Sequence, residues 1–489
     1  LKDNNPISVT AVFDIGKTNK KFLLFDEDFE VVYEAYSSME REIIEDDDGY
    51  RSENLSYLVG WIKQQLLSVI QDDAFKIEKL NFTTYGASLV HLDEDGEIAT
   101  HFYNYLKPYP EKLLEQFYDA YGGKEQFALE TASPPMGMLN SGLQLYWLKH
   151  EKPDQFSKIR QTLHFPQYLS AIFTGEYTSE YTSLGCHTGL WNFDENNYHR
   201  WLREEGMEEL LPELQPTTNT MQAEIKNTQL ETGVGIHDSS AALMPYLLAL
   251  DEPFILLSTG TWNITLNPFN KAPLSFEELE RDCLCYMNMN GDQVKAARVF
   301  LGKEYSHQKK KLDTYFNGDV DGEAVSPDAS MLSKLIKADD RKKKLKLETA
   351  HTSGPFPHEK DGEWKIDQFE TYKEAYHQLM VDLVTIQAES IKLAEGTESI
   401  DKIIITGGFG RNDFFVRLLA SRFPDKTIYT DSLSHASALG AATVISEGSA
   451  RGKLKELIAL QQYPPLAGID MSEYRWNKND SENGDTVHI

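Results

Sequence analysis

Residues 7–25 read ISVTAVFDIGKTNKKFLLF. The apolar, β-branched run Ile7–Asp14 predicts a strand, Lys21–Phe25 a second and Glu30–Tyr33 a third. Their links are short, one carrying Gly16 and the other Asp26-Glu27-Asp28, so the strands suit antiparallel hairpins. The same order returns half a chain later in residues 254–266, FILLSTGTWNITL. There Phe254–Leu257 is a strand, Ser258-Thr259-Gly260-Thr261 a turn, and Trp262–Leu266 a strand again. With Gly16 set against Gly260, Asp14-Ile15-Gly16-Lys17-Thr18-Asn19 aligns with Ser258-Thr259-Gly260-Thr261-Trp262-Asn263. Two such units predict two related domains that face one another.

Composition narrows the function classes. The chain has 489 residues, enough for two to four domains, and 40% are hydrophobic, enough for large cores. Lys and Arg number 48 against 77 Asp and Glu, a net charge of −29. That balance argues against nucleic acid as the main partner, because phosphate backbones call for a basic face. The longest apolar run, Ser239–Leu250, is broken by Pro245 and is far short of a membrane span. Residues 1–6 carry no apolar core of a signal segment, and Leu1 suggests a trimmed start. Three cysteines, Cys186, Cys283 and Cys285, form no disulfide framework and fit a reducing, cytoplasmic setting. Cys283-Leu284-Cys285 lacks a second Cys/His pair at zinc spacing, so buried thiols are expected.

Helical spacing marks Leu55–Ile70 and Tyr372–Ala394. Ile400–Ile405 is a buried strand meeting Gly407-Gly408 and a helix from Asn412. A helix over His435–Ile445 is rich in small residues that permit close backbone approach, and Ser446–Gly452 reads as a weak break. The segment Asn477–Asp485 is polar and expected to fray. The basic islands His307–Lys311 and Arg341–Lys346 read as solvated helix faces.

Four segments can carry chemistry, and each has a plain structural alternative. In Asp14-Ile15-Gly16-Lys17-Thr18-Asn19, glycine lets backbone N–H groups approach an anion, and the carboxylate can hold Mg²⁺ through water. The alternative is an ordinary hairpin turn. Ser258-Thr259-Gly260-Thr261 offers hydroxyl and N–H donors without a carboxylate, and with the first turn it makes a two-sided clamp for a phosphate chain. In Gly235-Ile236-His237-Asp238-Ser239-Ser240-Ala241, Asp238 suits a general base for a sugar hydroxyl attacking phosphorus, or a helix N-cap. In Thr406-Gly407-Gly408-Phe409-Gly410-Arg411-Asn412, a strand feeds a glycine turn and a helix start, which suits a nucleotide or a simple connection. Asp413 stands where a dinucleotide fingerprint needs its last glycine, and no G-x-x-x-x-G-K-[ST] loop is present.

The order of these segments resembles the FGGY carbohydrate kinases of the actin–hexokinase–Hsp70 superfamily. Asp14–Lys21 looks like the first phosphate motif and Gly235–Ala241 like the base segment. Leu257–Trp262 looks like the second phosphate motif, and Ile405–Asn412 with Ala436–Ala442 like the adenosine motif. His237-Asp238 and Gly260-Thr261-Trp262 look most like the rhamnulokinase and fuculokinase branches. Thr84-Tyr85-Gly86-Ala87-Ser88 sits where those enzymes carry a sugar loop, with Ser88 in place of the usual aspartate. Lys17 departs from the usual small or hydroxyl residue, and either reaches a phosphate or points to solvent.

The resemblance implies an α/β fold of two actin-like (ribonuclease H-like) domains with a catalytic cleft between them. It implies an N-terminal domain over 1–250, a C-terminal nucleotide-binding domain over 251–460 and a tail over 461–489. It implies ATP and Mg²⁺ as cofactors, Asp238 as catalytic base, and Tyr85, Gly86, Ser88, His237 and Ser239 at the sugar. Asp14, Gly16, Lys17, Thr18, Asn19, Lys21, Gly260, Thr261, Gly407, Gly408 and Asn412 fall to ATP, with Asp14 holding Mg²⁺ through water. The implied reaction is ATP-dependent phosphorylation of a ketose at its primary hydroxyl, a 6-deoxyketohexose such as L-rhamnulose or L-fuculose giving the 1-phosphate. Another ketose or polyol, such as xylulose, is the second kinase reading, and a non-catalytic nucleotide-binding sugar sensor is the reading from another class. The implied partner is a small-molecule sugar, with no nucleic acid or membrane, and a homodimer is compatible.

Overall fold

The computed structural model describes residues 5–39, 42–317, 325–349, 354–356, 362–397, 399–431, 433–472 and 474–476. Strand β1 (Ile7–Ile15) is buried without alternation from Ala11 onward, the burial expected of a central strand covered on both faces. It pairs antiparallel with β2 (Lys20–Phe25), which pairs antiparallel with β3 (Val31–Ser37). Helix α1 (Leu55–Ile70) then carries the chain across the sheet, so that β4 (Phe75–Thr84) returns parallel to β1 on its other side. Asn54 caps α1 by accepting the Tyr57 N–H, and Leu55, Leu58, Ile62, Leu66 and Val69 bury one stripe. The hairpin β5 (Thr220–Ile225) and β6 (Thr228–Gly233) completes the order β5-β6-β4-β1-β2-β3. Val9, Phe13, Phe22, Leu24, Phe82 and Leu169 lie in its core. Between β4 and β5 lies a mostly helical insert with its own core, including Phe117, Leu143, Trp147 and Trp201. Helix α2 (Asp238–Ala249) follows β6 and contains Pro245.

The second sheet repeats this plan. Strand β7 (Ile255–Thr259) pairs antiparallel with β8 (Asn263–Asn267), and β8 with β9 (Gln293–Val299). The helix α3 (Tyr372–Glu395) precedes β10 (Lys402–Gly407), which lies parallel to β7. Thr371 caps α3 and Gly396 ends it at φ +72°. Then α4 (Asp413–Arg422) leads to β11 (Thr427–Thr430), parallel to β10. The order β9-β8-β7-β10 matches β3-β2-β1-β4, strand for strand and direction for direction. Even the junctions correspond: the Tyr85 N–H donates to Ile15 O at 3.2 Å, and the Gly408 N–H to Thr259 O at 3.1 Å. Each β-turn of interest is thereby fixed beside the end of the neighbouring parallel strand.

The chain divides into two units. The first comprises Leu1–Asp251, Leu284–Val294 and His435–Leu457; the second comprises Glu252–Cys283, Lys295–Ser434 and Ile458–Ile489. Helix α5 (Ala436–Val444), the small-residue helix, therefore belongs with the first unit, where it packs on α2. Residues 446–452, expected as a break, run into the helix α6 (Glu447–Leu457). The stretch read as a tail opens with packed residues: β12 (Gln461–Tyr463) pairs with β11, and Met471, Tyr474 and Trp476 join the second unit's core. The expected fraying over 477–485 lies outside the described residues. The basic islands are paired with acids: His307 and Lys311 with Glu348, Lys309 with Asp313, Lys343 with Glu374 and Lys344 with Asp339. All three cysteines are buried. Among the described residues, no helix is long and apolar enough to cross a membrane.

Candidate active site

Asp14 and Lys21 are register partners across β1 and β2, so their side chains meet on one face. The Lys21 ammonium donates to Asp14 Oδ2 at 3.0 Å. The turn between these strands, 16–19, is closed by the Gly16 N–H donating to Asn19 O at 2.9 Å. Beneath it, Lys20 is 2% exposed and its Nζ donates to the carbonyls of Gly16 (2.8 Å) and Lys17 (3.1 Å). Burial lowers the Lys20 pKa, opposed by the charge of Glu53 and aided by that of Lys17. Gly16 and Lys17 are half-buried, while Thr18 and Asn19 are exposed, so the turn is accessible from outside.

His237 and Asp238 stand where a two-residue strand beside β4 runs into α2. His237 occupies the N-cap position and Asp238 the first helical position, so Asp238 is not the cap. The Asp238 Oδ1 accepts the Ser239 N–H at 2.6 Å and the Ser239 hydroxyl at 3.2 Å. Burial pushes the Asp238 carboxyl up to about 7, and the Asp14 charge adds to the rise; the Ser239 donors and Lys21 oppose it. A carboxyl poised near 7 next to a second carboxylate has the balance a proton-accepting group needs at neutral pH. The His237 imidazole is buried, with Nε2 3.2 Å from Asp238 Oδ1 and 3.2 Å from Cys186 Sγ, and Nδ1 3.3 Å from Ser240 Oγ. The His237 backbone N–H donates to Thr182 Oγ1.

The loop after β4 is tight. A Cβ on Gly86 would stand 2.4 Å from Cys186 Sγ and 3.2 Å from the His237 ring, so the bare backbone there packs against protein. Ala87 adopts φ +60°, a strained conformation for a residue with a side chain. Ser88 is 3% exposed and its carbonyl accepts the Phe165 N–H. Tyr85 is buried, with its ring turned to Lys17. The Lys17 ammonium lies 4.8 Å from the ring centroids of both Tyr85 and Tyr105, and 3.1 Å from Glu53 Oε1. Lys17, expected at a phosphate or in solvent, here faces a carboxylate between two aromatic rings, with its side chain 30% exposed.

In the second unit, Gly260 and Thr261 form the exposed β7–β8 turn, closed by the Gly260 N–H donating to Trp262 O at 3.0 Å. Gly407 ends β10 at φ +84°, where a Cβ would stand 1.9 Å from Thr259 O; only glycine admits this approach. Gly408 is exposed and open. Asn412 caps α4 by accepting the Phe415 N–H at 3.1 Å. Gly260, Thr261, Gly407 and Gly408 are thus brought to one edge of the second sheet, with Asn412 at the following helix start.

Lys20, Glu53, Tyr105 and Cys186 escaped the sequence reading. Lys20 carried a faint signal, a charged residue at the start of a strand that ends in the apolar run Phe22–Phe25. Glu53, Tyr105 and Cys186 carried none, because only tertiary folding brings them to this site. For a metal, Asp14 is a single carboxylate at a strand end, and Mg²⁺ bound with a nucleotide takes one or two carboxylates plus phosphate oxygens and water, so the donor set fits. Asp46, Asp47 and Asp48 also lie close together, but each is already paired with Lys107 or Lys152.

Comparison with known proteins bears on this arrangement. Residues 9–240 match the N-terminal domain of the FGGY family of carbohydrate kinases, and residues 251–453 match the C-terminal domain of carbohydrate kinase FGGY. A rhamnulokinase from Oceanobacillus iheyensis is 26% identical over 220 residues, covering 42% of this chain and 45% of that protein. An L-fuculokinase from Haemophilus influenzae is 23% identical over 294 residues, covering 55% of this chain and 60% of that protein. The chain spans about half the length of the curated relatives it matches. Among solved structures, a carbohydrate kinase from Novosphingobium aromaticivorans is 24% identical with a TM-score of 0.77, covering 94% of this chain and 95% of that one. A ligand-bound xylulose kinase from Lactobacillus acidophilus is 17% identical with a TM-score of 0.72, covering 94% of both chains. The fold is thus the mixed α/β, two-domain fold of these kinases. With both domain signatures present in order and each sheet built on the same strand plan, the chain belongs to the FGGY family of carbohydrate kinases.

Proposed function

We propose that the chain is an ATP-dependent kinase that phosphorylates the primary hydroxyl of a ketose. The observation that carries this reading is the Asp238 carboxyl, held near 7 beside Asp14 and Lys21 and in contact with His237. Asp238 accepts the proton of the sugar hydroxyl as its oxygen attacks the γ-phosphorus; the bond to the β–γ bridging oxygen breaks and ADP leaves. His237 holds Asp238 in position, and Lys21 fixes the Asp14 carboxylate. Mg²⁺ held at Asp14 would neutralise charge on the transferred phosphoryl group. Thr18 and Asn19 in the first unit, and Thr261 in the second, carry exposed side-chain donors for phosphate oxygens, on turns that Gly16 and Gly260 keep tight. Gly407 and Gly408 leave backbone open to the adenosine, with Asn412 setting the helix start behind them. Lys17 is assigned away from the nucleotide, because its ammonium faces Glu53 between the Tyr85 and Tyr105 rings.

Within the ketoses, the curated relatives named rhamnulokinase and L-fuculokinase favour a 6-deoxyketohexose, L-rhamnulose or L-fuculose, giving the 1-phosphate. A different ketose or polyol, xylulose among them, is favoured by Ser88, a hydroxyl where those branches carry a carboxylate, and by the charged pair Lys17–Glu53. A cytoplasmic setting suits both, since ATP is available there. The test is a panel of ketoses and polyols with coupled ADP detection. Sugar-dependent ADP release that disappears in Asp238→Asn supports the kinase. Tight ATP binding with no ADP release for any acceptor overturns it in favour of a nucleotide-binding sugar sensor.

A further inference from the structure

A cavity of about 860 Å³ opens beside the 16–19 turn, entirely within the first unit, with Lys17, Lys20, Arg51, Glu53 and Asn104 in its wall. Glu53 comes just before the α1 cap, and its carboxylate stands 3.1 Å from Lys17 Nζ and 3.3 Å from Lys20 Nζ. Both Glu53 oxygens are buried, yet neither makes a hydrogen bond of regular geometry among the described residues. Lys20 spends its ammonium on two carbonyls, whereas the Lys17 ammonium makes no hydrogen bond among the described residues and has Glu53 as its charged contact. The cluster therefore holds an acceptor and a donor side by side, both stripped of much of their water.

Two links tie this cluster to Asp238. Tyr85, which covers Lys17, is followed directly by Gly86, whose backbone packs on the His237 ring. Tyr105, the other wall of the Lys17 box, has its phenol held above the ordinary range by burial and then by the charges of Glu53 and Asp238. Tyr105 thus lies within electrostatic reach of both Glu53 and Asp238.

We propose that the Lys17–Glu53 pair, boxed by Tyr85 and Tyr105, reads hydroxyl groups at the end of the acceptor remote from the phosphorylated one, so that the acceptor is a fully hydroxylated ketose and not a 6-deoxy sugar. This rests on the kinase reading above. A terminal hydroxyl donates to a Glu53 oxygen while accepting from Lys17. A methyl group at the same place displaces water from both ions and returns no hydrogen bond. Sites built to bond a hydroxyl reject the analogue lacking it far more strongly than apolar pockets separate homologues, by up to ~10⁴–10⁵.

The experiment uses two pairs of sugars that differ only in the hydroxyl at C6: L-fructose with L-rhamnulose, and L-tagatose with L-fuculose. With the full chain, kcat/KM is measured by ADP release and sugar affinity by calorimetry without nucleotide. The expected result is a preference of about tenfold or more for the hydroxylated member of at least one pair. Folded Glu53→Gln and Lys17→Met variants, checked by thermal unfolding, are expected to bring that ratio toward one. The preference in the unsubstituted protein is read without any variant, so a variant that fails to fold leaves the test standing. Preference for the 6-deoxy member of both pairs, or a ratio unchanged in both folded variants, overturns the inference. If no acceptor gives ADP, the kinase reading fails, and the calorimetric preference alone decides this one. Neither turnover nor binding with either pair also overturns it, while ADP release with other acceptors leaves the kinase reading intact.

Discussion

The Nε2 of His237 lies 3.2 Å from Asp238 Oδ1 and 3.2 Å from Cys186 Sγ. A buried imidazole therefore braces the carboxyl from behind, while Ser240 holds the other ring nitrogen at 3.3 Å. The two residues are adjacent in the chain, yet His237 ends the extended segment and Asp238 begins a helix, which turns one side chain inward and leaves the other partly open.

Asp238→Asn should reduce kcat by roughly 10²–10⁴-fold and leave ATP affinity nearly unchanged, because general-base action contributes about that much. His237→Ala should give a smaller loss, since it removes the brace and not the proton acceptor. Steady-state kinetics with nucleotide-binding calorimetry checks both. Full turnover in Asp238→Asn would remove it from the mechanism.

A pH profile gives a second test. The Asp238 carboxyl titrates near 7 in the folded protein, above its usual range, and a base acts only when ionised. Activity, read as kcat/KM, should therefore fall as pH drops through about 7 and be retained above it. Asp14→Asn removes the like charge and should move this limb to lower pH. Lys21→Met removes a favourable charge and should move it higher.

Lys20→Met should destabilise the first unit by about 3 kcal/mol, because it leaves the Gly16 and Lys17 carbonyls without their donor and removes one partner of a buried ion pair. Urea unfolding measures the loss. A variant as stable as the parent would mean that the turn does not depend on this pin.

Gly407→Ala should lower stability by roughly 1–3 kcal/mol, because φ +84° is strained for alanine and its Cβ would meet Thr259 O. Gly408→Ala, with nothing within 4 Å of the added carbon, should be close to neutral for folding. Thermal unfolding of the two variants compares adjacent glycines directly. Equal effects would contradict the close approach at position 407.

The first three strands, α1, α3 and β10 were legible because each carries its own periodicity, with ends within a few residues of those observed. The repeat was legible because a strand, a glycine turn and a strand recur half a chain apart. The strand beginning at Trp262 was misplaced: Trp262 lies in the turn and β8 starts at Asn263, where pairing with Thr259 resumes. The break expected over 446–452 failed because Ser, Gly and Ala clusters weaken a helix locally without preventing one that packs, here with Ala450 and Leu454 buried.

Local chemistry in the sequence determined the strand–turn–strand units, the helix caps at Asn54 and Thr371, and the pairing of His237 with Asp238, since these depend on neighbours along the chain. Tertiary structure alone decided that Lys17 turns to Glu53 between two tyrosine rings, that Cys186 meets His237, and that α5 packs on α2. Those contacts join residues dozens to hundreds of positions apart. No periodicity or propensity encodes which distant side chain will supply a charge, a ring or a thiol; only the packed fold brings them within reach.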